Sequence, residues 1–379
     1  MLQKYGYDCN LVINIKKYDY VIFKLTNKIL NTITKYSYNK FTNKDFSVIF
    51  FFVTKTTCLI IINTYFLNKK HNKKTTKEIT TMEIIIKQIL KKHNITFNNI
   101  TKATSGFTNL VYFVDNNYVI KMSKDEDIKN KLNKETSIYK NIKLEFIPKF
   151  IASGEFNNYQ YLIITKIDGK SLYSIWHTLQ EQERQNCIKN IAKILKEFNQ
   201  QNYDFLDEQY KYFDWSKYLS TELKNKSKLL EQDGFNVDKL NNFIFNDLPI
   251  LFNKNNFGLV YNDAHFDNFI YHNKKLYLID FDRVIVCPID YEMLIFKTMC
   301  QNPKKFASEE DEEKILEKDY LNIYQQFKNE YKKMFANNYV EKRILIYQFN
   351  YLIGQAIKCN DNVWITELLN NFEKQIETN

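Results

Sequence analysis

The chain has 379 residues, enough for two lobes around a sizeable core, and a formal net charge of +10. That charge is confined to one end: residues 1–81 hold 14 Lys against 4 Asp or Glu, leaving 40 basic and 40 acidic residues for positions 82–379. The body therefore lacks the basic field that draws a protein to phosphate backbones, and a nucleic-acid partner is not expected. The six Cys, at 9, 58, 187, 287, 300 and 359, form no C-x-x-C pair, and no His cluster has metal-ligand spacing. Reduced thiols in a cytoplasmic protein fit this better than a disulfide framework or a zinc site.

Residues 46–67, FSVIFFFVTKTTCLIIINTYFL, are apolar and nearly long enough to span a bilayer, and Lys69, Lys70, Lys73 and Lys74 follow. Lys55 sits near the middle of the run with Thr54, Thr56 and Thr57 beside it, which argues against a membrane segment because a buried charge there is costly. The stretch lies too far from residue 1 for an ordinary signal peptide. Three readings of residues 1–81 stand: a non-native or poorly ordered extension, a membrane-associated segment, or a folded accessory piece. In the first of these Met82 is the true start.

From Met82 the periodicity predicts an amphipathic helix over 83–93, with Ile84, Ile85, Ile89 and Leu90 at helical spacing. A polar loop over 101–109 contains Ser105, Gly106 and Thr108, and leads into predicted strands at 110–114 and 118–122 around an Asp-Asn-Asn turn. Such a strand–turn–strand can lay backbone N–H groups and a hydroxyl over phosphates, although one Gly alone fits a plain β-hairpin equally well. Lys121 is embedded in an alternating apolar strand, either turned inward or snorkelling from an edge. Fourteen residues on, Glu135 lies in a predicted helix over 128–139; Glu126, Asp127 and Lys134 in the same region read as solvated charges. Strands are predicted at 146–150 and 159–166, separated at Ser153-Gly154. Helical patterns then cover 185–199, 218–230 and 237–245, with about four more helices between 291 and 376. Ser308 before Glu309, Glu310 and Asp311 reads as a helix N-cap with acids in the first turn.

The densest chemistry lies in residues 259–283, LVYNDAHFDNFIYHNKKLYLIDFDR. Apolar runs at 259–261 and 269–271 bracket a loop carrying Asp263, His265, Asp267 and Asn268, and a third run at 276–279 delivers Asp280 and Asp282. Carboxylates and an amide at strand tips suit a magnesium ion, which wants hard oxygen donors and takes only one or two from protein when phosphates and water supply the rest. Asp263 and Asn268 have the D-x-x-x-x-N spacing of a kinase catalytic loop.

In this block the chain resembles the aminoglycoside phosphotransferase and choline kinase-like branch of the protein-kinase superfamily, whose motifs run H-G-D-x-H-x-x-N and I-D-[FW]-[DE]. Asp263, His265, Asn268 and the run 279–282 match; Tyr261 replaces the usual His and Asn262 the usual Gly. The resemblance implies an α+β bilobal fold, with an extension at 1–81, an N-lobe with an antiparallel sheet at 82–168 and a mainly helical C-lobe at 169–379. It also implies Mg2+-dependent transfer of the γ-phosphate of ATP or GTP to a hydroxyl of a small molecule. Lys121 paired with Glu135 would orient the α- and β-phosphates beneath Ser105, Gly106 and Thr108, and the backbone at Thr165 and Ile167 would meet the base. Asn268 and Asp280 would hold the metal, with Asp282 as a weaker contributor, and Asp263 would receive the acceptor's proton. His265 is expected to support the loop. The family's acceptors include aminoglycosides, choline, ethanolamine, sugars and amino alcohols, and a catalytically silent nucleotide-binding module is the alternative. A monomer or dimer is expected.

Overall fold

The computed structural model describes residues 82–103, 110–123 and 125–377. The chain divides into two units, Met1–Ile86 and Lys87–Asn379. The described part of the first, residues 82–86, is helical, and residues 87–92 of the second are helical as well. All that follows concerns the second unit. Among the described residues no helix is long and apolar enough to cross a membrane; the run at 46–67 lies outside them.

Five strands form an antiparallel sheet: β1 (Ile100–Lys102), β2 (Leu110–Val114), β3 (Tyr118–Ser123), β4 (Phe150–Phe156) and β5 (Tyr159–Thr165), in the order β1-β2-β3-β5-β4. Helix α1 (Glu126–Asn141) packs across β3, β4 and β5 and buries Leu132, Ile138 and Tyr139 in the core. The predicted strand at 146–150 is not formed. Pro148 cannot donate to a ladder there, and the strand instead runs from Phe150 through Ser153 and Gly154. Gly154 is not a turn residue: a Cβ at this position would stand 2.8 Å from the Tyr161 hydroxyl, so the glycine makes room for that ring. The turn lies at Asn157 and Asn158, both with positive φ (50° and 63°), the two-residue geometry that twists in the same sense as the strands it joins.

The remainder is mainly helical. β6 (Lys170–Ser171) leads into α2 (Leu172–Ile175), then α3 (Glu181–Asn199), α4 (Trp215–Gln232), α5 (Asp238–Asn246) and α6 (Leu248–Leu251). α3 opens with a capping box between Gln180 and Glu183 and buries Ile188, Ile191, Leu195 and Phe198 along one stripe. Two small sheets then carry the predicted chemistry. β7 (Phe257–Val260) pairs with β10 (Ile285–Pro288), and β8 (Phe269–His272) with β9 (Lys275–Leu278), the latter pair extended by β6. Helices α7 (Met293–Gln301), α8 (Glu309–Glu312), α9 (Ile323–Glu330), α10 (Val340–Lys358) and α11 (Asn362–Glu377) complete the chain. Ser308 occupies the N-cap of α8, but its hydroxyl reaches the Asp311 carboxylate at 3.2 Å instead of a backbone N–H, and Asp311 also pairs with Lys314.

α10 is bolted beneath the small sheets by Arg343, whose Nε lies 2.9 Å from Asp290 Oδ2, with Tyr347 donating to the same oxygen. Gly258 fixes the height of β7 over α3, since a Cβ there would sit 2.5 Å from the Asn199 carbonyl oxygen and 2.8 Å from an Ile289 methyl. Both obstacles are packed core, so Gly258→Ala is expected to destabilise the fold by about 1–3 kcal/mol, the usual cost of overpacking. Thermal unfolding of the variant checks this, and an unchanged midpoint would contradict it.

Candidate active site

The loop after β7 is held from beneath by one carboxylate. Glu292, fully buried, accepts from the backbone N–H groups of Tyr261 (2.9 Å) and Asn262 (3.1 Å). The Asn199 amide lies 3.4 Å from the same carboxylate and donates to the Leu259 carbonyl at 2.8 Å. Asn262 takes a left-handed conformation, φ 59°, which Asn tolerates far better than bulkier residues. The replacement of the motif's Gly by Asn therefore preserves the backbone path. Burial pushes the Glu292 carboxyl up to about 7, against the pull of these N–H donors.

The loop next closes on itself. His265 N–H donates to the Asp263 carbonyl (2.8 Å), and Asn268 N–H to the His265 carbonyl (3.0 Å). Asn268 Nδ2 donates to both the carbonyl and Oδ2 of Asp263, each at 3.0 Å, and lies 3.1 Å from His265 Nε2. Arg283 Nη1 donates to Asp263 Oδ1 at 3.1 Å. Burial would raise the Asp263 carboxyl, but His265, Arg283 and Asn268 together hold it below the ordinary carboxylate range. Asp267 turns away and accepts from Ser171 Oγ at 2.9 Å, which anchors the loop to β6.

Lys121, Glu135 and Asp280 form the second half. Lys121 lies centrally in β3, opposite Val111 and Leu162, and its side chain is buried. Its Nζ lies 2.7 Å from Glu135 Oε1 and 3.0 Å from Asp280 Oδ1. Burial disfavours the ammonium, but Asp280 and Glu135 outweigh it and keep the amine charged far into the alkaline range. Glu135 also accepts from Phe281 N–H at 3.3 Å, so one carboxylate serves both Lys121 and the segment bearing Asp280. Asp280 has φ 65°, an uncommon conformation for a non-glycine residue and one that clusters at functional sites. Asp282 follows two residues later, its carboxyl raised by burial and by Asp280.

An aromatic stack joins the halves. The Phe281 ring meets Tyr139 edge-on at 5.1 Å and Tyr261 at 5.5 Å, with Phe198 at 5.4 Å. Tyr261 donates its hydroxyl to the Ile279 carbonyl. Tyrosine in place of the motif's His thus packs against the segment bearing Asp280 and also supplies it with a hydrogen bond.

The structure brings Lys121, Glu135 and Asp280 together, and likewise Asp263 and Asn268, while Ser105, Gly106 and Thr108 lie outside the described residues. At the end of β5 the N–H groups of Thr165 and Lys166 are taken up by the Lys149 and Asn117 carbonyls, with Ile167 next in the chain. Lys134 departs from expectation. It is buried, its Nζ lies 4.5 Å above the Tyr210 ring, and burial lowers its pKa to about 8 despite Asp282 nearby. Its cover, Tyr210, comes from a distant part of the chain that the helix pattern does not announce. Sequence reasoning missed Glu292 and Arg283 as site residues. Glu292 carried a faint signal, a lone acid entering a strongly apolar helix; Arg283 carried one too, as one of three Arg in the chain.

The donors fit a magnesium ion bound with a nucleotide. Asn268 spends its amide N–H groups on Asp263, which leaves its oxygen for a cation, and Asp280, after β9, brings a carboxylate whose Oδ1 is shared with Lys121. Among the described residues no three His, Cys, Asp or Glu side chains converge as a cage.

This is a kinase-like fold. A structure of aminoglycoside 2'-phosphotransferase-IIIa with GDP superposes with a TM-score of 0.53 over 78% of this chain and 97% of that one, at 14% identity. The ADP-bound aminoglycoside phosphotransferase APH(2'')-Ib gives a TM-score of 0.52 over 75% and 96%, at 21% identity. No curated protein matches the sequence significantly. The family model described as the phosphotransferase enzyme family matches residues 99–308, more than half of the chain. The chain belongs to that family and is a small-molecule kinase of the protein-kinase-like superfamily.

Replacing Glu292 by Ala would strand two buried N–H groups, each costing about 1–3 kcal/mol when unpaired. Glu292→Gln keeps one acceptor oxygen and is expected to lose less. Denaturant unfolding of both variants checks the order, and equal losses would show that Glu292 is not holding the loop.

Proposed function

We propose that the protein moves the γ-phosphate of ATP or GTP, bound with magnesium, to a hydroxyl of a small molecule. The observation that carries this reading is the buried Lys121, shared between Glu135 and Asp280. An ammonium fixed in this way has one useful task, to bind the α- and β-phosphates at a set position. In this reading residues 82–168 form the nucleotide lobe and residues 169–379 the lobe that carries the catalytic loop and the acceptor. Ser105, Gly106 and Thr108 cover the phosphates, and the backbone at Thr165 and Ile167 meets the base.

Phosphoryl transfer leaves little covalent work to the protein, so positioning and charge carry the rate. Asn268 and Asp280 would hold the magnesium ion, which would supply charge neutralisation to the phosphate oxygens. Asp263 faces the acceptor hydroxyl and orients it for attack. The new bond runs from the hydroxyl oxygen to the γ-phosphorus as the bond to the β,γ-bridging oxygen breaks, and the hydroxyl proton passes to Asp263. Asp263 also orients the hydroxyl for in-line attack. His265 supports the loop through Asn268.

For the acceptor we favour an aminoglycoside, since the similar structures above carry aminoglycoside phosphotransferase names. The test is phosphate transfer from Mg-ATP and Mg-GTP to a panel of aminoglycosides, choline, ethanolamine, sugars and amino alcohols. Transfer to one acceptor is expected, stopped by EDTA and reduced about a hundredfold or more by Asp263→Ala with little change in nucleotide KM. Lys121→Met is expected to weaken nucleotide binding. If wild-type protein binds no Mg-nucleotide, the roles given to Lys121 and Asp280 are wrong. Binding without transfer to any acceptor would favour a nucleotide-binding module.

A further inference from the structure

Both oxygens of Asp263 already carry a donor. Asn268 holds Oδ2 and Arg283 holds Oδ1, at 3.0 and 3.1 Å. The two donors are not alike. Asn268 is buried and fixed at both ends, its carbonyl accepting from Ile279 N–H and its own N–H donating to the His265 carbonyl. Arg283 leaves 42% of its side chain open, against 15% for Asp263, and holds the carboxylate by one N–H of its five. Each carboxylate oxygen has a second lone pair, so an acceptor hydroxyl can join these donors on Asp263, and of the two Arg283 has the freedom to give way as it does.

Arg283 is also placed to stay nearby once it yields. It stands three residues after Asp280, with Asp282 next to it in the chain, and both Asp263 and Asp282 favour its charged form. Its guanidinium, with five N–H donors, can shift along the carboxylate without leaving it.

We propose that Arg283 is a positioning residue for the acceptor: by its contact with Oδ1 it holds the Asp263 carboxylate in the orientation that receives the incoming hydroxyl. This rests on the function proposed above. The competing explanation is an exposed ion pair of small consequence, since many such pairs contribute nothing measurable.

Two measurements on the full chain separate these. The first needs no acceptor: a double-mutant cycle in denaturant unfolding with Asp263→Asn, Arg283→Met and both together. A coupling of about three- to tenfold in the unfolding constant is expected for a partly buried charge pair. Additive effects would show that the contact is not made, and so overturn the proposal. The second uses the acceptor found in the panel above. Arg283→Met is expected to lower kcat about a hundredfold through misorientation of the base, with nucleotide KM unchanged. Arg283→Lys is expected to recover only part of the rate, because a point charge lacks the planar fork. Millimolar guanidinium ion is expected to restore activity to Arg283→Met but not to Asp263→Ala. A normal kcat in Arg283→Met, or a fall that guanidinium does not relieve, would overturn the proposal. If wild-type protein transfers phosphate to nothing in the panel, the functional reading fails while the cycle still decides whether the pair exists.

Discussion

The structure depends on one buried charge. Lys121 sits inside β3, surrounded by apolar neighbours, where an isolated ammonium would be driven to its neutral form. It stays charged because two carboxylates reach it, one from 14 residues away and one from 159 residues away. Only loss of both would leave an uncompensated charge in the core, and through this one ammonium the sheet, α1 and the segment after β9 are tied together. A buried ion pair of this kind gives little net stability, because desolvation takes back most of what attraction supplies. What it gives is placement: the ammonium and the Asp280 carboxylate can stand in one arrangement only.

The catalytic loop is placed by the same kind of device from the opposite side. A loop with polar residues at its tip cannot pack itself, and the backbone N–H groups at its start have no strand to pair with. Glu292 receives them, and its own desolvation is partly offset by those bonds. Glu292 enters α7 directly after the turn that holds Asp290, and Asp290 is pinned by Arg343 and Tyr347. The loop is thus connected through two carboxylates to a helix near the C-terminus, 80 residues further along the chain. The Phe281 aromatic stack closes the circuit, because it touches α1 through Tyr139 and the loop through Tyr261.

Much of this was legible in the sequence for a simple reason: the chemistry depends on short spacings. Asp263 to Asn268, Asp280 to Asp282 and an inward Lys in an alternating strand are readable because each lies in a segment whose local structure fixes side-chain direction. Less readable was anything set by a distant partner. Gly154 looked like a turn because nothing nearby announces the Tyr161 ring that needs the space. Lys134 looked solvated because Tyr210, which covers it, lies 76 residues on, in a stretch without periodic pattern. Glu292 gave no sign of its task because the N–H groups it serves belong to another element.

Two apparent departures from the family motif also acquire a physical meaning that a string comparison lacks. Asn262 holds the left-handed turn that glycine would hold, at some conformational cost but with a side chain able to hydrogen-bond locally. Tyr261 replaces an imidazole by a larger ring that still ends in a donor, and that donor satisfies the Ile279 carbonyl directly before the strained Asp280. The two changes are adjacent, one governing the path of the backbone and the other the packing of the ring. Both act on the start of the loop, away from the atoms proposed to touch phosphate. The loop can therefore vary at its base while Asp263 and Asn268 keep their mutual geometry, because the bonds that set that geometry run between the two residues themselves.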